Sequence, residues 1–199
     1  LVSKAYIILL IKIIYRVVGI DFIVTSKMMN VLFVFGLVGM IMGSLNAILE
    51  KDIRRMIAYS SVAQIGYIYM GIGLGVEQGY VAAVYHILHH AATKALLFIS
   101  VVGLSNVSGG SKLFPDLRGA GYRHRSAGVA FAVGSFSMVG LPTLSGFISK
   151  YLFATAAMSA SPKKVFLTLV VLAVSTILNA IYFIHTVVTI YTPAEEEKP

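Results

Sequence analysis

Tyr85-His86-Ile87-Leu88-His89-His90-Ala91-Ala92-Thr93-Lys94-Ala95-Leu96-Leu97-Phe98 lies in an apolar run long enough to span a bilayer, yet it holds three histidines and a lysine. On a helix, His86, His90 and Lys94 stand at i, i+4 and i+8 and line one face, while His89 falls off that row. Ionisable groups near a bilayer centre cost roughly 2.5–3.5 kcal/mol each on insertion scales. The row therefore needs partners, a wet cavity or both. Three readings fit: a histidine pair holding zinc, a polar seam between packed helices, or a path for protons or ions. Zinc fits worst, because the chain has no cysteine and no carboxylate lies near the row in sequence. No metal site is expected, and the path for protons or ions is the reading carried forward.

Composition supports a membrane setting for that row. Of the 199 residues 58% are hydrophobic and 12% charged, with a mean hydropathy of +0.87; soluble domains carry about twice that charged fraction. The formal charge of +8 sits mostly in connections between apolar runs, so it argues for membrane orientation rather than for nucleic acid as a partner. Lack of cysteine excludes disulfides, thiolate metal sites and iron–sulfur ligation by this chain. Leu1 is not an initiator methionine and already lies in an apolar run, so the chain reads as a fragment.

Working outward, Met28–Leu49 has the length a single span demands, with Gly36, Gly39 and Gly43 offering a close approach to a neighbouring helix. A charged turn, Glu50–Arg55, precedes Met56–Gly75, whose Tyr59, Ser60, Ser61, Gln64, Tyr67 and Tyr69 suit a helix inside a bundle. The histidine helix is expected over about Tyr80–Leu104. After a polar connection, Ser105–Arg125, the stretch Ser126–Met158 is too long for one straight span. Its middle reads Gly140-Leu141-Pro142-Thr143-Leu144-Ser145-Gly146, and the proline predicts a broken helix, tolerated at membrane depth only beside protein or a water-filled cavity. Val165–Tyr191 spans once more, with Asn179 and His185 read as helix packing. Lys12 and Arg16 snorkel at the end of the first run, and Lys4 lies deeper.

The expected fold class is all-α, a polytopic transmembrane helical bundle of about six spans. Residues 1–191 form the membrane domain and 192–199 a polar tail. Lys51, Arg54, Arg55, Lys112, Arg118, Arg123, Arg125 and Lys198 fall on one side of this layout, and Lys27, Lys163 and Lys164, plus the Lys12/Arg16 pair at a helix end, on the other. The positive-inside rule puts Arg54 and Arg118 in the cytoplasm, for a multi-pass protein of the cell inner (plasma) membrane.

Three motifs carry a resemblance. Asp52-Ile53-Arg54-Arg55-Met56-Ile57-Ala58-Tyr59-Ser60-Ser61-Val62-Ala63-Gln64-Ile65-Gly66-Tyr67, the row His86, His90 and Lys94 with Ala95-Leu96-Leu97-Phe98, and Gly140–Lys150 (GLPTLSGFISK) stand in order across nearly the whole chain. Together they resemble the antiporter-like membrane subunits of respiratory complex I and of Mrp-type Na⁺/H⁺ antiporters. The resemblance implies that this chain covers the second inverted five-helix repeat and part of the preceding helix. It also implies a proton relay through Lys4, His86, His90, Lys94 and Lys150, with Gly140, Pro142 and Gly146 shaping the helix break. A further glutamate and lysine of the path are expected upstream of Leu1.

The functional expectation is a proton-translocating subunit, with no catalytic residue, redox cofactor or other cofactor of its own. Its partners would be other membrane subunits, the lipid bilayer, protons and, in the antiporter setting, Na⁺. It would serve either a complex I-type NADH:quinone oxidoreductase or an Mrp-type antiporter. The alternative from a different class is a non-transporting scaffold or assembly subunit, whose polar residues only hold helices together.

Overall fold

The computed structural model describes residues 2–19 and 27–193, without the side chains of residues 2–4 and 15. The connection after Gly19 and the acidic tail lie outside the described residues. So does the side chain of Lys4, whose backbone falls in the first helix. No strand forms among the described residues; helices do the folding. They are α1 (Val2–Ile13, continued by a π turn, Ile14–Val18), α2 (Met28–Leu49), α3 (Ile53–Gly73), α4 (Glu77–Asn106), α5 (Ala120–Arg123), α6 (Arg125–Val139), α7 (Ser145–Met158) and α8 (Pro162–Tyr191). A short 3₁₀ turn, Pro115–Leu117, precedes α5. Of these, α2, α4 and α8 are long and apolar enough to cross a membrane.

Two boundaries differ from the sequence reading for physical reasons. The charged turn stops short, because Asp52 Oδ1 accepts from Arg54 N–H (2.7 Å) and Arg55 N–H (3.1 Å). That caps α3 and draws both arginines into its first turn. The histidine helix begins at Glu77, whose carboxylate suits the positive end of the helix dipole.

α2 and α3 form the tightest hairpin. A Cβ on Gly36 would stand 2.7 Å from Met70 Cα, and one on Gly66 2.6 Å from Met40 N. The main chains therefore touch along a seam that only glycine permits. α4 packs on α3, α6 and α7 pack on α4, and α8 closes the bundle against α2, α3, α6 and α7. Apolar clusters form on either side of a polar middle. One gathers Ile57, Leu97, Phe131 and Phe183. The other gathers Met40, Met70, Phe153 and Leu172, and a third ties Ile7 and Ile14 to Ile68 and Ile72.

The ends of α3 orient everything else. At its start, Ile53 N–H donates to Lys112 O (3.0 Å) and Phe114 N–H to Lys51 O (3.2 Å), which straps the 105–125 connection there. At its finish, Lys164 Nζ donates to Gly73 O (2.7 Å) and Leu74 O (3.3 Å). Arg54 and Lys164 thus sit at opposite ends of a helix about 30 Å long, given ~1.5 Å per residue.

Candidate functional site

His86, His89, His90 and Lys94 are all buried on α4. Lys94 Nζ donates to Ile57 O (2.8 Å) and to Ser60 Oγ on α3, and stands 5.8 Å from the Phe183 ring of α8. Two turns earlier, His86 Nδ1 meets Ser149 Oγ of α7 at 2.6 Å. The His86 ring stacks on Tyr67 (centroids 5.4 Å apart) and on His90 (5.9 Å). These contacts fix an antiparallel register between α3 and α4, in which Ser60 meets Lys94 and Tyr67 meets His86. Gln64 then lies level with His90, since residues 60, 64 and 67 share a helical face. Gln64 Nε2 is buried with no protein partner among the described residues, a donor that water would satisfy.

The broken helix supplies the next groups. α6 stops where Gly140 turns to φ +88, its N–H accepted by Phe136 O (3.0 Å). α7 restarts at Ser145. Leu141, Pro142 and Thr143 between them are exposed, and Thr143 holds φ +77, a conformation a β-branched residue adopts only under strain. Gly146 lies where the two halves meet: a Cβ there would collide with Ser137 O and sit 3.3 Å from His89 Nε2. Lys150 reaches back across the break. Its Nζ donates to Val139 O (2.5 Å), the last carbonyl of α6, and to Thr176 Oγ1 of α8 (2.9 Å). It also stands 5.9 Å from the Tyr67 ring.

Tyr67 therefore neighbours both the histidine row, by stacking on His86, and Lys150, whose ammonium lies over its ring. Its hydroxyl donates to Ser175 Oγ (3.0 Å). Sequence reasoning reads Tyr67 as a polar residue of a bundle helix at the end of a motif; a single chain's periodicity does not reveal which ring neighbours both a histidine and a lysine on other helices. His89 is the second residue that reasoning passed over. It leaves the row as helical geometry requires, but it reaches the break instead of lipid. Its Nδ1 meets Ser145 Oγ (3.0 Å) and Thr93 Oγ1 (3.3 Å), and Ser145 Oγ meets Ser137 Oγ (3.2 Å). Asn179 Oδ1 accepts from Tyr182 O–H (2.6 Å) and Ser44 O–H (3.3 Å), tying α8 to α2. Lys4 cannot be placed against this group, its side chain being outside the described residues.

Residues 2–177 match the family described as NADH:quinone oxidoreductase/Mrp antiporter, TM. The chain is 35% identical over 153 residues to an NADH-quinone oxidoreductase subunit N of Desulforudis audaxviator (strain MP104C), covering 77% of this chain and 30% of that relative. A chain of the Mrp complex from Dietzia sp. DQ12-45-1b superposes with a TM-score of 0.75 at 30% identity, over 89% of this chain and 32% of its own. A chain of the membrane-bound sulfane sulfur reductase, an archaeal respiratory membrane complex, gives 0.75 at 26% identity, over 86% and 36%. The chain spans about a third of the length of these relatives. With the family's description matching most of its length and the same helical fold recurring in membrane complexes, the chain belongs to the NADH:quinone oxidoreductase/Mrp antiporter transmembrane family.

Proposed function

We propose that this chain is part of a proton-translocating, antiporter-like subunit, and that protons pass among Lys94, His90, His86 and Lys150. The observation that carries the proposal is how the two lysines are held. Each presents its ammonium to one main-chain carbonyl and one hydroxyl, with the histidine row and Tyr67 between them. Carbonyls and hydroxyls accept from a charged lysine without becoming stranded anions when it releases its proton. Histidine can hold or pass a proton near neutral pH, and serine or threonine hydroxyls can serve either as donor or as acceptor. Lys4 is proposed as the upstream contributor from α1, and Gly140, Pro142 and Gly146 as the residues that keep the helix open beside the path. Partners are other membrane subunits, of the kind seen around the structural relatives, in either a quinone-linked complex or a cation/proton antiporter, where Na⁺ would be the exchanged ion.

The test is Lys94→Met in the full complex, read as proton uptake into proteoliposomes with assembly checked on a native gel. Uptake should fall by about 100-fold or more, the lower range for losing a positioned proton-transfer group. Lys94→Arg should fail equally, since arginine keeps its proton at any working pH. Normal uptake by an assembled Lys94→Met complex would leave the lysine a packing group and favour the scaffold reading.

We place the protein in the cell inner membrane, with the end of α3 that carries Arg54, and the strapped connection with Arg118, in the cytoplasm. Cysteine substitutions at Arg54 and Lys163, in a stretch that has no cysteine of its own, should label with an impermeant thiol reagent in intact cells at the second position only. Labelling at the first alone reverses the orientation.

A further inference from the structure

Where α3 begins and α4 ends, a cavity of about 480 Å³ is lined by Arg54, Phe98, Val101, Val102, Ser105 and Lys112, among others. A shallower one of about 300 Å³ shares Arg54, Phe98 and Lys112 and adds Asp52 and Arg55. The charges here are unequally occupied. Asp52 turns its carboxylate to the first N–H groups of α3. Arg55 pairs with Glu50 at 3.0 Å. Arg54 and Lys112 have no side-chain partner among the described residues. These two cations stand 58 positions apart in sequence (112 − 54) and meet because the strap fixes Lys112 to the start of α3, through Ile53 N–H and Phe114 N–H. Beneath them α4 presents exposed apolar side chains, Phe98, Ile99 and Val102, up to the polar close of the helix at Ser105 and Asn106. Cations above an exposed apolar wall, at the close of a helix long and apolar enough to cross a membrane, suit a ligand with a negatively charged head on apolar tails.

The geometry points to a binding cleft for an anionic phospholipid, its phosphate between Arg54 and Lys112 and its acyl chain along Phe98 and Val102. Arg54 can offer the phosphate a two-pronged contact, and Lys112 a point charge. The cleft stands on the opposite end of α3 from Lys164 and uses none of the groups assigned to proton transfer. Its failure would therefore leave the functional proposal untouched.

The experiment uses the full complex, purified in a neutral detergent and delipidated. Phosphatidylglycerol or phosphatidylcholine is then added, and retained lipid is counted by native mass spectrometry. Wild type should retain phosphatidylglycerol in preference to phosphatidylcholine. The double variant Arg54→Gln/Lys112→Gln should bind it roughly tenfold more weakly, about the worth of one charge-assisted hydrogen bond. The charge-keeping double variant Arg54→Lys/Lys112→Arg should restore retention, which separates loss of charge from misfolding. Equal retention by wild type and the glutamine variant overturns the site, as does equal retention of the two lipids. Displacement of phosphatidylglycerol by millimolar inorganic phosphate would make the site one for soluble anions and overturn the lipid. Loss of a neighbouring subunit from the glutamine variant on a native gel, at unchanged lipid count, would assign the cleft to a protein contact and overturn it too.

Discussion

Lys94 and Lys150 offer their ammonium groups to the same kinds of acceptor, a carbonyl and a hydroxyl, in opposite backbone settings. Lys94 projects from an unbroken helix of 30 residues, and its carbonyl, Ile57 O, lies within α3, where Ser60 and Ser61 hydroxyls also donate to it. Lys150 follows a break, and its carbonyl, Val139 O, is the last of α6. A terminal carbonyl has no intrahelical partner and carries the negative end of the helix dipole. Lys94 can thus lose its charge among neighbours that remain hydrogen-bonded. Lys150 caps the half-helix that ends at the break, and under the proposed function it would exchange a proton from that same seat.

The difference is open to measurement. Replacing either lysine with methionine should cut proton uptake by about 100-fold or more, so transport alone will not separate them. Stability will. Lys94→Met removes a buried charge from partners that stay satisfied, and the assembled complex should unfold at an unchanged or higher temperature. Lys150→Met orphans Val139 O and loses the charge at the α6 terminus, for a cost of about 1–2 kcal/mol. Thermal unfolding of the two purified variants, side by side with wild type, is the check. A Lys150→Met complex as stable as Lys94→Met would erase the distinction between the seats.

Gly146→Ala tests the break itself. The added methyl would meet Ser137 O, a main-chain atom that cannot swing aside as a flexible side chain can. The two halves of the broken helix must part, costing about 1–3 kcal/mol as overpacking does. Gly140→Ala is the useful contrast. Its methyl meets mainly the Lys150 stem (Cδ at 2.9 Å), which can shift, leaving the left-handed φ of +88 as the chief penalty, about 1–2 kcal/mol. Melting temperature should fall at least as far for position 146 as for 140, and the reverse order would mean that the close approach is not what demands glycine.

These two seats also show what one sequence can reveal. Helical spacing along α4 puts His86, His90 and Lys94 on one face, and Pro142 with its flanking glycines marks where α6 must end. Both are properties of a residue and its near neighbours. Neither the Lys150 acceptor nor the place of Tyr67 is local in that sense. Val139 O lies 11 positions from Lys150, and Thr176 Oγ1 a further helix away. His89 shows the same limit from the other side, since periodicity takes it off the row without saying that Ser145 waits there. The start of α3 lies earlier than the sequence suggests because a run of charges reads as a turn, whereas one of them, Asp52, is a cap that starts a helix.

A third lysine supplies the smallest effect and the cleanest control. The sequence counts Lys164 only among the charges on the side opposite Arg54, yet its Nζ donates to Gly73 O and Leu74 O at the close of α3 and stands 5.4 Å from the Phe33 ring. Chemically this repeats the Lys150 seat: an ammonium on helix-terminal carbonyls beside an aromatic ring. Among the described residues it has no contact with the histidine row of the kind that Tyr67 gives Lys150. If capping were all that Lys150 did, both lysines would matter only to stability. Lys164→Met should therefore lower the stability of the complex by about 0.5–1 kcal/mol, less than Lys150→Met because Lys164 lies nearer the solvent-exposed end. Proton uptake per assembled complex should stay within about twofold of wild type, since no proposed step passes through it. Uptake lost in proportion to that of Lys150→Met would show that cap loss alone disables transport, and Lys150 would then be a structural cap and no relay.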